Sequence, residues 1–205
     1  RVFTEKLNGK EALGWQWNWP LNSTNVVSYP EVIYGDKAWD EPSGISTEFP
    51  ITAESSDIVS NFNVLISAEG IYNMAFSIWG YSNSSNPKGS ITHEIMIWII
   101  NEGMLPAGTK SFVITVNGIV FDVYVRKNHG DASGGTSNTW TYIAFSPRTN
   151  IYNGPLNIHE FTDFLISKGI LSSSTYLSSL ELGNEVVGGK GTTEIENYSV
   201  TVTER

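Results

Sequence analysis

The chain has 205 residues and a formal charge of −9 at pH 7, with 12 Lys and Arg against 21 Asp and Glu. Its apolar content of 40 % excludes an intrinsically disordered chain. The acidic balance argues against nucleic acid as a partner, and the lack of a run of about 18 apolar residues argues against a membrane-spanning helix. Because cysteine is absent, thiolate nucleophiles and disulfides are excluded as well.

The aromatic content is high for an acidic chain, with seven Trp, nine Tyr and nine Phe. Such a surplus has two interpretations at this stage. It indicates either flat surfaces offered to a ligand or simply a large β-sheet core.

Alternating, β-branched and aromatic segments recur along the chain with Gly, Asn, Ser or Pro between them. This spacing predicts an antiparallel sandwich or barrel. The predicted strands are Val26–Ile33, Ile58–Ile66, Ile71–Trp79, Ile91–Ile100, Phe112–Val125, Thr139–Phe145, Leu177–Val187 and Tyr198–Val202. Asn117-Gly118 divides the fifth of these into a hairpin, because both central residues of a type I′ turn need positive φ.

One segment has the pattern of a helix. Asn157 and Glu160 have the spacing of a capping box, an apolar stripe follows, and Gly169 stands where a helix often ends. We therefore expect one α-helix at about 157–169. With no linker or repeat to divide the chain, we expect residues 1–205 to form one domain.

A carboxylate, a thioether and an indole share one face of a predicted strand. Since successive strand residues alternate faces, Glu94, Met96 and Trp98 lie together, opposite the isoleucines at 95, 97 and 99. Glu181 and Glu185 likewise share a face of a later strand with Gly183 between them. A solvated outer face would equally well explain Glu94 on the first strand and the two glutamates on the second.

Two carboxylates on one concave sheet face can cleave a glycosidic bond without a cofactor. Retention of configuration needs a nucleophilic carboxylate and a carboxylic acid about 5–5.5 Å apart, and inversion needs roughly 6.5–9.5 Å. Other chemistries are less well supported. His93, His129 and His159 lack metal-ligand spacing, so we expect no metal and no cofactor.

These segments resemble glycoside hydrolase family 12, the β-jelly-roll endoglucanases and xyloglucanases. Glu94-Ile95-Met96-Ile97-Trp98 is similar to the nucleophile strand of that family, and Ser179–Glu185 is similar to its acid/base strand. The segments 158–169, 144–147 and 28–39 resemble the family's helix, the strand end before it and its Tyr-Pro-x-x-x-x-Gly segment. The resemblance implies a jelly-roll sandwich of two antiparallel sheets with a concave substrate cleft.

The resemblance also implies roles for individual residues. Glu94 would be the nucleophile and Glu185 the general acid/base. Sugar-binding side chains would be Trp15, Trp17, Trp39, Met96, Trp98 and Pro147. Among the N-terminal tryptophans, which share one strand face, we favour Trp17 as the stacking residue, with Trp19 as the alternative in a different register.

The chain departs from the family pattern at two places. Ser77 stands where many members carry an Asp that hydrogen-bonds the nucleophile, so the expected supporting group has no charge. The segment Val186-Val187-Gly188-Gly189 lacks the aromatic residue often found after the acid/base. The pH dependence and the leaving-group contacts are therefore expected to differ.

The combined interpretation is a retaining endo-β-1,4-glucanase that hydrolyses internal bonds of β-glucans. We expect it to be secreted after removal of a signal peptide, monomeric, and without nucleic acid or membrane partners. A xyloglucan-specific enzyme remains open within the family. Outside it, a non-catalytic carbohydrate-binding jelly roll remains open, and so does a sandwich domain that binds protein.

Overall fold

The computed structural model describes residues 1–7, 10–38, 48–130 and 138–205, without the side chains of residues 5–7, 10 and 11. Most of the described chain is β-strand. The strands are β1 (Val2–Leu7), β2 (Lys10–Trp19), β3 (Glu31–Gly35), β4 (Ile51–Thr52), β5 (Ser56–Tyr81), β6 (Ile91–Glu102), β7 (Thr109–Val116), β8 (Ile119–Gly130), β9 (Thr139–Pro147), β10 (Asn153–Asn157), β11 (Tyr176–Leu177), β12 (Ser179–Gly183) and β13 (Val186–Glu204). The helix is α1 (Ile158–Ser167), and a short 3-10 helix spans Lys88–Ser90.

The strands form one curved, unclosed sheet in the order β1-β2-β13-β5-β6-β9-β8-β7. Hydrogen bonding is continuous because β5 and β13 are long. The first part of β5 pairs with β10 and β13, and its second part pairs with β6 and β12. The predicted jelly roll with one helix is confirmed. One detail differs from the expected all-antiparallel arrangement, because β6 and β9 run parallel.

Two predicted strands are continuous in the structure. Ile58–Ile66 and Ile71–Trp79 both belong to β5, and Gly70 joins them with a φ of +127°. A side chain at Gly70 would collide with the carbonyl oxygen of Gly188 on β13. Glycine therefore lets β5 pass close to β13 without ending, which local sequence patterns do not reveal.

The two faces of the sheet bury two different clusters. Ile95, Ile97 and Ile99 of β6 belong to the main core, together with Phe161 of α1. Met96 and Trp98 belong to a second cluster on the opposite face, which also contains Trp79, Trp140 and Tyr142. The alternation predicted for this strand is confirmed, and we call the face of Glu94, Met96 and Trp98 the cleft face.

The helix begins and ends close to the predicted positions. Asn157 and Glu160 bond each other through their side chains at 2.6 Å, without a side-chain bond from Asn157 to the helix backbone. Gly169 follows the helix with a φ of +64°, and the amide of Ile170 donates to the carbonyl oxygen of Leu165. These contacts form the helix end that a C′ glycine favours.

The predicted hairpin is also present. Asn117 and Gly118 have φ values of +50° and +77° and connect β7 to β8. Among the described residues no helix has the length and apolar character needed to cross a membrane.

Candidate active site

Glu94 lies on β6 among tryptophans. Its Cα lies opposite Trp79 of β5 and Tyr142 of β9. The indole nitrogen of Trp140 donates to Glu94 Oε2 at 2.6 Å, and the Trp140 ring meets Trp79 edge to face at 5.3 Å. The carboxylate is therefore fixed by a donor whose own position is determined by aromatic packing.

Glu185 follows β12 and is held by Asn73 of β5. The side-chain nitrogen of Asn73 donates to Glu185 Oε2, while its side-chain oxygen accepts from the Glu185 amide at 3.0 Å. The backbone amide of Asn73 in turn donates to the backbone carbonyl oxygen of Glu185 at 3.0 Å. Burial raises the pKa of Glu185, and the bond from Asn73 lowers it in part. A carboxyl that retains its proton toward neutral pH can act as a general acid.

Tyr142 is buried on the cleft face, opposite Glu94. Its pKa is raised well above the usual value by burial and then by the negative charges of Glu185 and Glu94. On β5, Asn73, which holds Glu185, is in phase with Trp79, which lies opposite Glu94. Two glutamates that are distant in sequence therefore belong to the same face of the sheet.

A second pair of carboxyls lies beside Glu185. Glu181 is completely buried, and burial, followed by the charge of Glu31, raises its pKa well above the usual value. Oε2 of Glu31 and Oε2 of Glu181 are both buried with no hydrogen-bond donor in reach. Lys37 pairs with Glu31 and lies 3.7 Å from Glu181 Oε2. A proton on Glu181 accounts for this arrangement, since two carboxylates repel each other at close range.

Tyr29 lies next to this pair, since Nζ of Lys37, the partner of Glu31, is 5.8 Å from the centre of its ring. Burial raises the pKa of the Tyr29 phenol, and the charges of Glu31, Glu181 and Glu185 raise it further, in that order. The alternative that Glu181 lies on a solvated outer face is wrong, because this carboxyl is completely buried.

Ser77 is buried on the same face. It lies opposite Met96 of β6 and opposite Glu181 of β12, two residues before Trp79 on β5. The position expected to support the nucleophile is therefore adjacent to a buried carboxyl from another strand.

Met96 and Trp98 lie on the cleft face as predicted, but they are only 2 % and 1 % exposed. They follow Glu94 along β6 and are covered by the aromatic cluster of that face. In this structure the two side chains offer almost no accessible surface to a sugar.

Trp15 and Trp17 are corrections to the predicted sugar platform. Both are buried in the main core. Trp15 donates to Asn184 Oδ1 at 2.8 Å, and Trp17 meets Tyr72 edge to face at 5.7 Å. They share a strand face as expected, but that face is covered at Trp15, and Trp17 meets only the edge of a groove of about 730 Å³. Trp19, the alternative, is 45 % exposed.

Pro147 is a further correction. It lies opposite Phe121 in the β8–β9 ladder, in phase with Phe145, and both phenylalanines belong to the main core. Its side chain is therefore directed away from the cleft face. Trp39 lies outside the described residues.

No group of metal-ligating side chains occurs in the described part of the chain. His93 bonds the carbonyl oxygen of Ile170 and the hydroxyl of Thr92, both at 2.9 Å, and burial lowers its pKa. His129 packs against Tyr142 at 5.0 Å.

Sequence reasoning missed Asn73, Tyr142 and Trp140 as site residues. Asn73 carried one signal, a polar side chain between Tyr72 and Met74 in an otherwise apolar strand. Trp140 and Tyr142 alternate on one face of β9, but only the β6–β9 pairing brings that face to Glu94.

Comparison with known proteins agrees with this geometry. Endoglucanase S of Pectobacterium parmentieri is 30 % identical over 200 residues, covering 95 % of this chain and 73 % of the relative. The xyloglucan-specific endo-beta-1,4-glucanase A of Aspergillus niger is 26 % identical, covering 91 % and 70 %.

Among solved structures, the native family 12 xyloglucanase from Bacillus licheniformis superposes with a TM-score of 0.86 at 33 % identity. That match covers 98 % of this chain and 85 % of the other. The sequence profile of glycosyl hydrolase family 12 matches residues 3–203. The jelly-roll sheet and this match over nearly the whole chain establish that the protein is a member of glycosyl hydrolase family 12.

Proposed function

We propose that the protein is a retaining endo-β-1,4-glucanase with Glu94 as nucleophile and Glu185 as general acid/base. The observation that carries the proposal is that Glu94 and the Asn73 side chain that holds Glu185 share the cleft face, since Asn73 is in phase on β5 with Trp79, which lies opposite Glu94. The endoglucanase and xyloglucanase names of the relatives support the same class of substrate, a β-1,4-linked glucan.

The reaction has two displacements. In the first, a Glu94 oxygen attacks the anomeric carbon, the glycosidic C–O bond breaks, and the Glu185 proton passes to the leaving oxygen. In the second, Glu185 removes a proton from water, the water oxygen bonds to the anomeric carbon, and Glu94 is released. No cofactor enters either step.

The surroundings of each glutamate suit these roles. Trp140 donates to Glu94 and so keeps one carboxylate oxygen in place. Burial raises the pKa of Glu185, which favours the protonated form needed for the first step.

Substitution of the two glutamates tests the roles. We expect Glu94→Gln to fold normally and to release no reducing ends from barley β-glucan. With an activated aryl β-cellobioside and azide, Glu94→Ala should yield the α-glycosyl azide and Glu185→Ala the β-glycosyl azide. Parent-like hydrolysis by Glu94→Gln would refute the assignment.

The stereochemistry of the first product tests retention. Proton NMR during early hydrolysis should show the β-anomer before mutarotation. An α-anomer appearing first would indicate inversion.

A xyloglucan-specific enzyme is the second candidate, favoured by the 33 % identity to a family 12 xyloglucanase. Rates on carboxymethylcellulose, mixed-linkage glucan and xyloglucan separate the two candidates. A protein that binds these polymers with no release of reducing ends would instead be a carbohydrate-binding jelly roll.

We further propose that the protein is an extracellular, single-domain monomer acting in polysaccharide degradation, with no nucleic acid or membrane partner. The net charge of −9 and the names of the relatives support this assignment. Light scattering in solution measures the oligomeric state directly.

A further inference from the structure

Tyr29 lies opposite Glu185 on the segment that leads into β3. This segment runs antiparallel to the end of β12 and the residues after it. Two residue pairs, one on each side of Tyr29, show the register, and they are Ser28 with Val186 and Glu31 with Gly183. Because the register is the same at both pairs, Tyr29 is the residue opposite Glu185, and opposite residues extend their side chains to the same face. Since β12 lies between β3 and β5, Tyr29 flanks Glu185 on the side away from Asn73.

Backbone hydrogen bonds hold the two segments together on both sides of this pair. The Asn184 amide donates to the Pro30 carbonyl oxygen at 3.1 Å. The Val186 amide donates to the Ser28 carbonyl oxygen at 2.9 Å. A Cβ at Gly183 would lie 2.5 Å from the Pro30 carbonyl oxygen, so glycine allows this close approach. A pair that stands between two hydrogen-bonded pairs has its side chains closest together, because its Cα atoms are only about 4.5 Å apart.

The ring of Tyr29, rather than its hydroxyl, is the part beside Glu185. The hydroxyl is buried and lies near Ser77, without a hydrogen bond of acceptable geometry. Ser77 lies opposite Glu181, four residues before Glu185. Four residues of extended chain span about 13 Å, so the hydroxyl end is displaced along the strand from Glu185. What the Glu185 side chain meets on this side is therefore the apolar ring.

The titratable and charged groups around Tyr29 and Glu185 come from several elements. They are Glu31 and Lys37 in and after β3, Glu181 on β12, Tyr142 on β9 and Glu94 on β6. Both tyrosines remain neutral up to high pH, because burial and, to a smaller extent, the charge of Glu185 raise the pKa of each phenol. Substitution of Tyr29 by an apolar residue therefore leaves the charges around Glu185 unchanged and alters only its contact with water.

We propose that Tyr29 is a positioning residue whose ring covers one side of Glu185 and keeps water from the carboxyl. The inference rests on the proposed function, because Glu185 is the proposed acid/base. An acid that transfers its proton to a sugar oxygen must retain that proton at the working pH, and exclusion of water favours the neutral form. Asn73 orients the carboxyl from β5, and Tyr29 covers it from the other side.

Tyr29→Leu tests the role of the ring through the pH profile of two substrates. With barley β-glucan, whose leaving group is a sugar, the basic limb of kcat/KM should move to lower pH by about one unit, which is a loss of about tenfold on the alkaline side. With 2,4-dinitrophenyl β-cellobioside, whose leaving group departs without a proton, the variant should match the parent. A merely structural loss would lower both rates without moving the limb.

Tyr34→Leu is the matched control, because Tyr34 lies on the same strand but opposite Leu180, on the face of the main core. It should leave the basic limb in place even where it lowers Tm. Tyr29→Phe retains the ring and should restore the parent pH profile. Tyr29→Met provides a second ring-free variant, and its limb should move in the same direction as that of Tyr29→Leu.

Three outcomes would overturn the inference. The limb could stay in place in Tyr29→Leu and Tyr29→Met, it could move equally in Tyr34→Leu, or it could move in Tyr29→Phe as far as in Tyr29→Leu, which would assign the effect to the hydroxyl. Failure of the proposed function is distinguishable, because the parent would then release no reducing ends from β-glucan. Failure of the inference alone leaves hydrolysis by the parent intact.

Discussion

Asn73 uses its backbone amide and both side-chain polar atoms to position Glu185. It is completely buried within β5, and it also receives a bond from Asn184 on its carbonyl oxygen at 2.7 Å. Removal of its side chain would deprive the part-buried Glu185 of two partners, the donor to Oε2 and the acceptor of its backbone amide, which is expensive.

Asn73→Ala should therefore change both the rate and the pH profile. We expect kcat to fall about tenfold or more as Glu185 loses its orientation. Because the Asn73 bond lowers the pKa of Glu185, its loss should move the basic limb of kcat/KM to higher pH. Hydrolysis rates of an aryl cellobioside across pH measure both effects, and a shift to lower pH would contradict the explanation.

The Glu31–Glu181 pair makes stability depend on pH. The pKa of Glu181 is raised in the folded protein, so the pair contributes its full stability below the ordinary glutamate pKa. That stability is lost as pH rises toward the raised value, at up to about 1.4 kcal/mol per pH unit.

Glu181→Gln should remove this dependence, because an amide can donate to Glu31 at every pH. Relative to the parent, the variant should gain Tm progressively as pH rises above the ordinary glutamate pKa. Glu54→Gln, at an exposed position, is the control and should follow the parent. A constant offset between Glu181→Gln and the parent would indicate that Glu181 does not retain its proton.

At the scale of elements, β5 determines how the sheet is connected. Gly70 lies where β5 passes from its β13 and β10 partners toward β6 and β12, and any side chain there would strike Gly188. Gly169, after α1, also has positive φ, but a side chain there would meet nothing within 4 Å. A side chain at Gly169 would therefore cause backbone strain alone, whereas one at Gly70 would cause backbone strain and a steric collision.

We expect Gly169→Ala to cost about 1 kcal/mol of unfolding free energy, from positive φ alone. Gly70→Ala should cost several times more, because backbone atoms of β13 must also move. Urea unfolding measures both values. Equal losses would mean that β13 accommodates the side chain without strain.

Sequence patterns predicted most strands, the helix and the faces of single strands, but not which strands pair with one another. Alternation placed Glu94, Met96 and Trp98 on one face and the isoleucines on the other, because strand periodicity is local. The same rule grouped Trp15 with Trp17, but it could not show that their face is covered. Tyr142 and Asn73 reach the site only through the parallel β6–β9 pairing and the bond to Glu185, which join residues far apart in sequence.

At the scale of the whole molecule, the first part of β5 pairs with β13, from Ser56 opposite Glu204 to Tyr72 opposite Val186, and its second part pairs with β6. The strands on the β13 side and those on the β6 side therefore cannot separate without breaking β5. We therefore expect one cooperative unfolding transition, with calorimetric and van't Hoff enthalpies that agree.

Tryptophan fluorescence provides a second probe, since Trp15 lies in the main core and Trp98 on the cleft face. Its transition should coincide with that measured by far-UV circular dichroism. Two separated transitions would show that the chain contains more than one folding unit.

The pairing of β5 with β13 also determines when the protein can fold during its synthesis. Residues 56–72 leave the ribosome more than a hundred residues before their partners at 186–204. At roughly 5–20 residues per second, β5 has an unpaired edge for about 6 to 30 s. The nascent chain must therefore remain soluble without its central ladder, and the exposed aromatic strands near its beginning are the segments for which a chaperone would compete.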